Sequence, residues 1–498
     1  MIWCSKEKGR QTNHQDGKDG DTQMLTSLSF LMQGQAWPPP TEADRLERYA
    51  QNRLLFEGKH EQVYKDWIRL LREDQQATLE MVLNWHKRLT LLFADLLLGE
   101  TPRISAGEQG SPEQQAVERL IDYNGLFNVA YEVALDVSRY GTGIFKIRYD
   151  GRAIIEGQQP AIWFPVVKPD NIKEIQAHVL AWTYEEDTQE RGKTVTKKYL
   201  QTETHERGKI TTAKYPIENN IIGPALEYKE TETGVDEFLV VPVNNILTTD
   251  RITGLDDYSD LDSIIQALEV RVAQIERILD KHADPNMYGP DTALEHDPTT
   301  GQWKYRGGGK YFPVSQGEQP PGYVTWDGQL EAAFKQIDLL MEQLYILSET
   351  SAAAFGQLKA GLAESGTALK RLMMAPLAKV NRIRMRFDPA LKEVLWLASI
   401  LEKAQGMAGA IVLENIHIDW KDGLPDDEQE LTQNEVQRYT AGLTSLESSL
   451  RRLYGLEGEA LQEEIDRIKG EQAEQGVTEL PTITLPPAEG EGEGESMV

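Results

Sequence analysis

Cysteine is almost absent: Cys4 is the single one in 498 residues, so no internal disulfide is possible and a reducing compartment fits. No run of about 18 apolar residues occurs, which gives no reason to expect a membrane span. The opening residues, MIWCSKEKGRQTNHQDGKDGD, lack the basic start, apolar stretch and small-residue cleavage site of a secretory signal. They predict a disordered tail, drawn here as 1–40. The 8 histidines are scattered without an HExxH pairing, so no metal site is expected. No GxSxG elbow is present, and nothing calls for a cofactor. Basic charge is scarce as well: 52 Lys and Arg stand against 80 Asp and Glu, a net charge of −28. Such a chain repels phosphate overall, so any role with DNA must be local, or must let DNA pass without sticking. General solubility accounts for the same charge.

What is present is a globular balance of 40% hydrophobic and 27% charged residues, long enough for several layers or domains. No internal repeat points to a solenoid. Helices are expected after the proline run 38–40, with Thr41 as N-cap, then over 76–98. The next starts at Ser111-Pro112-Glu113-Gln114, a capping box with proline in the first turn, and breaks at Gly125 before reaching Tyr140. From about 143 to 242 the period changes to two, in IFKIRY, AIWFPVV, HVLAWTYEE, VTKKYLQTE and EFLVVPV. No helical crossover separates these runs, so the sheet is antiparallel and the class is α+β. Two long apolar-faced helices follow, 259–282 and 328–355, the first about 24 residues and roughly 36 Å long. Their seams carry Leu268 and Ile275, and Ile337, Leu340 and Leu344. Between them GQWKYRGGGKYFPV reads as a hairpin with a glycine turn. A helix from about 365 to 404 contains Pro376 and Pro389 and must be kinked or segmented. A short strand run over 411–420, capping-box spacings at Thr432/Glu435 and Thr444/Glu447, and an acidic low-complexity tail complete the chain.

Chemistry is sparse. GGGK at 307–310 is not a phosphate loop: Tyr311 stands where a Ser or Thr must reach Mg²⁺, and Lys304 where the first glycine belongs. The cluster Asp256-Asp257-Tyr258-Ser259-Asp260-Leu261-Asp262 could hold a cation, but helix capping explains acids at a helix start. One stretch opposes the global charge. Lys370, Arg371, Lys379, Arg382, Arg384 and Arg386 lie between 368 and 387 without an acid. They suit either DNA phosphates or acidic surfaces of neighbouring subunits.

The order of these elements, with DRITGLDDYSDLDSIIQALE, SETSAAAFGQLKAGLAESGTALKRLMMAPL and IHIDWKDGLPDDEQE, resembles the portal proteins of tailed phages. Specifically, it looks like the portal family of siphophages infecting Gram-positive bacteria, over roughly 40–470. The resemblance implies a non-enzymatic, dodecameric ring in the virion, at the capsid portal vertex, assembled in the host bacterial cytoplasm. It implies a wing (41–258), stem helices (259–282 and 328–355), a clip (283–327) with Trp303, Tyr305 and Tyr311, and a tunnel loop (356–366). The kinked helix and wing strand (367–424), a crown (425–473) and an acidic disordered tail (474–498) complete that layout. Gln357, Leu358, Lys359, Gly361 and Glu364 of the tunnel loop would face DNA. Implied partners are other copies of the chain, double-stranded DNA in the channel, the terminase large subunit, a head-completion or adaptor protein, and the major capsid and scaffolding proteins, with no membrane. Another structural protein of the phage head, such as a minor capsid protein, stays open on sequence. A packaging ATPase or nuclease is opposed by the missing Walker A loop.

Overall fold

The computed structural model describes residues 24–64, 81–190, 193–283, 287–290, 294–296, 298, 301, 303–305, 311–314, 322–323, 330–357, 370–421, 428–456 and 458–474. The chain divides into two compact units, Met1–Ala354 with Ala375–Gly423, and Phe355–Met374 with Leu424–Val498.

The first unit begins with a correction: residues 24–40 are packed, although composition places them in a disordered tail. A 3-10 turn, Leu28–Leu31, is capped by the Ser27 side chain. Leu25, Phe30, Leu31 and Trp37 are buried against Phe164, Val166, Val179 and Leu200. Their spacing has no helical or strand period, yet it covers a sheet face, and each full burial contributes about 1.5–3 kcal/mol.

Helix α1 (Ala43–Glu57) takes its N-cap from Glu42, because Thr41 is inside the preceding 3-10 turn, Pro40–Glu42. A single turn, α2 (His60–Val63), follows. Helix α3 (Trp85–Leu98) starts later than the apolar pattern suggests. Asn84 caps it by accepting from the Lys87 amide, and the Leu83 N–H goes to Glu269 instead of a helical ladder. After strand β1 (Arg103–Ser105), α4 (Pro112–Asn124) and α5 (Leu126–Tyr140) follow the sequence signals. Ser111 caps the first by accepting from the Gln114 amide, and Gly125, at φ 53°, makes the break.

Two antiparallel sheets come next. The smaller joins β2 (Thr142–Tyr149), β3 (Ala153–Gln158) and, from further along, β10 (Val240–Asn244), in the order β10-β2-β3. The larger runs β4 (Trp163–Lys168), β5 (Asn171–Glu190), β6 (Lys193–Glu206), β7 (Lys209–Glu218), β8 (Ile221–Ile222), with β9 (Glu227–Glu232) also on β7. One face of this sheet carries the 24–40 segment. The other sets Trp163 and Leu180 against Ile144 and Val240 of the smaller sheet. Helix α5 lies so close on β2 that a Cβ at Gly143 would stand 2.6 Å from Val133. Towards the end of the β5–β6 ladder, Glu185 faces Lys198 and Glu186 faces Lys197, opposite-charge pairs that suit an exposed hairpin. Strand β9 is exposed along its whole length and carries Glu227, Glu230 and Glu232.

Helix α6 (Asp262–Ala283) and α7 (Leu330–Leu347) pack on each other. Between them stand β11 (Met287–Pro290), β12 (Leu294–His296), β13 (Trp303–Tyr305), β14 (Tyr311–Val314) and β15 (Gly322–Tyr323). The expected glycine-turn hairpin is not found among the described residues. β13 pairs with β12, and β14 pairs in parallel with β11, so the strands flanking the glycines have other partners. Helix α7 stops well before residue 355: the Ser348 hydroxyl donates to the Leu344 carbonyl, and Glu349 turns to φ 57°. Helix α8 (Met374–Ala404) holds Pro376 in its first turn, where no intrahelical donor is lost, and Pro389 in its interior. Of the 411–420 run only β16 (His417–Asp419) is a strand, antiparallel to β1.

In the second unit, α9 (Glu428–Thr440) packs on α10 (Leu446–Tyr454), and α10 and α11 (Gly458–Glu474) share a small core of Leu450, Leu461 and Ile465. Thr432 lies inside α9, so it caps nothing. Ser445, not Thr444, caps α10 by accepting from the Ser448 amide.

Candidate functional site

The DRITGLDDYSDLD segment leads into α6, and it is locked to the body by backbone contact before any charge acts. A Cβ added at Gly254 would lie 2.0 Å from the Gly141 carbonyl oxygen, and one at Gly141 only 2.3 Å from that of Gly254. No side chain fits at either place. The Gly254 amide donates to Thr142 Oγ1 and Asn244 Oδ1.

Beyond the glycines, Asp256, Asp257 and Asp262 each find an intrachain partner, while Asp260 is exposed. Asp256 accepts from the amides of Tyr258 and Ser259, an N-terminal capping arrangement, and pairs with Arg48 at 3.1 Å. Burial alone would raise its carboxyl, but Arg48 and the Ser259 contacts outweigh that and hold it below the usual range. Asp257 is a buried hub: Ser138 Oγ donates at 2.7 Å, Asn245 Nδ2 at 2.9 Å and Lys379 Nζ at 2.9 Å. Tyr258, fully buried, hydrogen-bonds Thr90 at 2.7 Å, and burial pushes its phenol up. Asp262 meets Arg48 at 2.6 Å and His86 at 3.0 Å. Burial keeps His86 below the ordinary histidine value. Seven residues along α6, Glu269 meets His60 at 2.6 Å. Capping is thus only part of the role of the acidic cluster. Its main role is to fix the root of α6 to α1, α2, α3, α5 and α8.

Helix α8 adds Lys379 to this root, and half of its expected basic set is engaged within the chain. Lys379 is buried, paired with Asp257 and 3.9 Å from the Phe93 ring centroid. Arg382 pairs with Glu349 at 2.6 Å, and Arg384 reaches the Leu96 carbonyl and lies 5.5 Å from the Trp420 ring centroid. Three cations offered to DNA or to neighbours are therefore engaged within the chain. Arg386 is half-buried on the same helix, and Lys370 and Arg371 are exposed in the second unit.

The expected seam residues divide between two surroundings. Leu268, Ile275 and Leu344 are buried in the single chain, while Ile337 and Leu340 are half-buried. Other side chains of the pair remain uncovered: Leu279 is 51% exposed, Phe334 50%, Leu339 55% and Ile346 59%. Leu339 and Ile346, seven residues apart, lie on the side of α7 opposite Leu344. Trp303 and Tyr305 are on β13 and Tyr311 is on β14. Gln357 is exposed; Leu358, Lys359, Gly361 and Glu364 lie outside the described residues.

Sequence reasoning missed Arg48, His60, His86 and Glu269. The signal was faint: two histidines 26 apart carry no spacing motif, and their acids are about 200 residues away. Among the described residues no group of three or more His, Cys, Asp or Glu could hold a metal ion, and no helix is long and apolar enough to cross a membrane.

Residues 40–477 match the family model described as phage portal protein, SPP1 Gp6-like. Among solved structures, the chain is similar to one in the neck of an empty gene transfer agent (GTA) particle computed with C6 symmetry, at TM-score 0.42 and 11% identity, covering 75% of this chain and 90% of that one. It is also similar to a chain of the virion of a native gene transfer agent particle, at TM-score 0.39 and 14% identity, covering 75% and 89%. No curated protein matches.

Proposed function

Because this chain belongs to the SPP1 Gp6-like phage portal proteins, a family of structural head–tail connectors of the virion, we propose that its copies close into a dodecameric ring around a double-stranded DNA channel. The observation that carries the ring is the pairing of a fixed helix root with an uncovered apolar helix face. Asp256, Asp257, Asp262 and Glu269 hold α6 in place, while Leu279, Phe334, Leu339 and Ile346 stay about half exposed. Covering the remainder of each such side chain is worth roughly 1 kcal/mol. Repeated round a closed ring, that face would meet a different patch of the next copy, a heterologous interface that closes on itself.

In this reading α6 and α7 are the stem, 283–327 is the clip, 356–366 the tunnel loop, and the body of α1–α5 with the two sheets the wing. The helices α9–α11 form the crown. The terminase large subunit docks at the clip during packaging, and a head-completion or adaptor protein replaces it afterwards. Capsid and scaffolding proteins meet the wing. The net charge of −28 suits a wall past which DNA slides without sticking. The chain has no enzymatic part: packaging energy comes from the motor.

Negative-stain microscopy of the full chain tests the ring directly. Closed rings with a central channel are expected, and light scattering that finds only monomer at every concentration would refute the assembly.

A further inference from the structure

Residues 24–40 cover only part of their face of the larger sheet. Beyond Leu28 and Met32 that face continues as an open trough of about 490 Å³. Its floor is made of short side chains: Thr202 and Thr204 on β6, with Ala213 and Thr211 opposite them on β7. Its far wall is Tyr228 on β9, cross-strand from Ala213. Short residues set between long ones leave the hollow. Both walls are apolar and open to solvent, Met32 being 64% exposed and Tyr228 63%.

One end of the trough is anionic. Lys209, in the lining, stands between Glu206 at 3.3 Å and Glu230 at 3.5 Å. Tyr228, Glu230 and Glu232 alternate along β9 and so share the face of the trough. Three acids outweigh one lysine beside the apolar hollow. An occupant that fits presents a large apolar side chain followed by positive charge. The start of this same chain has that order: Ile2 and Trp3 precede Lys6, Lys8 and Arg10, with Glu7 the single acid among them.

The reach is sufficient. The Leu25 carbonyl accepts from the Val167 amide on β4, and β7 lies three strand spacings away, about 15 Å. Residues 11–23 span up to about 40 Å. We propose that residues 1–10 dock in the trough of their own chain, with Trp3 in the hollow and Lys6, Lys8 and Arg10 along Glu206, Glu230 and Glu232. The docked start and residues 24–40 then form one continuous cover over the sheet face. Most of the affinity comes from Trp3, because ion pairs at an exposed rim are screened and contribute little.

Cys4, the single cysteine, adjoins Trp3 and makes the test direct. In the full chain carrying Thr211→Cys, a short bismaleimide should join Cys4 to position 211 within one chain, read by peptide mass spectrometry and monomer mobility. Lys229→Cys is exposed on the opposite face of β9 and controls for chance encounters. Its reaction should be about tenfold slower, and adding Trp3→Ser to Thr211→Cys should slow that chain by about tenfold as well. If Thr211→Cys disturbs the sheet, hydrogen–deuterium exchange still decides: Trp3→Ser alone should lower protection over 224–230 and leave 179–182 unchanged. Equal rates at positions 211 and 229, a rate or protection indifferent to Trp3, or joining chiefly between chains overturns the proposal.

Discussion

The two long helices of the first unit are held by opposite means. α6 is seated by directional polar contacts: Asp262 to Arg48 and His86, Glu269 to His60, with Asp257 just before it. α7 has a buried Leu344 but leaves Phe334, Leu339 and Ile346 about half exposed. Hydrogen-bonded charges fix one geometry because they fail when misaligned, whereas apolar surface attracts without specifying an angle. One helix is positioned; the other is left able to associate. A subunit that joins the proposed ring in one orientation needs both.

The strongest way to break this contrast is at its polar end. Lys379→Ala leaves Asp257 buried without its cation, with both side chains only 5% exposed. A loss of about 3–5 kcal/mol is expected, read as a lower thermal midpoint of the full chain. An unchanged midpoint would mean the hub is ornamental. The apolar end should respond differently. Leu339→Asp combined with Ile346→Asp should leave the midpoint of the monomer near wild type yet dissociate rings, each charge costing ~1–3 kcal/mol if it is buried at a seam. Rings that persist in light scattering would assign that face to something other than neighbouring subunits.

Acid sharpens the comparison, because the body under both helices has its own limit. His178, buried and accepting from Trp163 Nε1 at 3.1 Å, is pushed down to about 3 by burial and by His205. The folded state therefore binds fewer protons than the unfolded one. The contribution of His178 is complete above the ordinary histidine value of 6.5 and is lost as pH falls towards 3. His178→Gln should lose less stability than wild type between pH 7 and pH 4.5 in denaturant titrations, and parallel losses would contradict it. The smallest structural effect is expected from Lys359→Glu in the proposed tunnel loop. Rings should stay intact while DNA packaging in a reconstituted procapsid slows, each phosphate contact being worth only about 1 kcal/mol in water. Normal packaging would make the loop a passive connector.

How much of this could be read beforehand depends on the range of the interaction. Ser111 and Gly125 act within one turn of themselves, so α4 and α5 were legible almost to the residue. The alternating runs gave the antiparallel sheets for the same reason. Lys379 and Arg382 look like free cations in sequence because Asp257 and Glu349 are supplied by distant segments. Leu25 to Trp37 look like a tail because their burial is decided by a sheet face that forms much later in the chain. The glycine run between β13 and β14 carries a sound hairpin signal that loses to pairing with β11 and β12. The order of elements resembled the portal family, and the match over 40–477 establishes that membership. Which residues hold the root of α6 had no local signature at all.

Strand β9 has a consequence for the traffic of subunits before the proposed ring closes. An open strand edge is an invitation for two copies to zip together. Here the edge carries Glu227, Glu230 and Glu232, all exposed, on a chain already at −28. Two such edges repel before their backbones can align. Edge-to-edge encounters are thus disfavoured, which leaves the field to the helix-face contacts of the proposed ring.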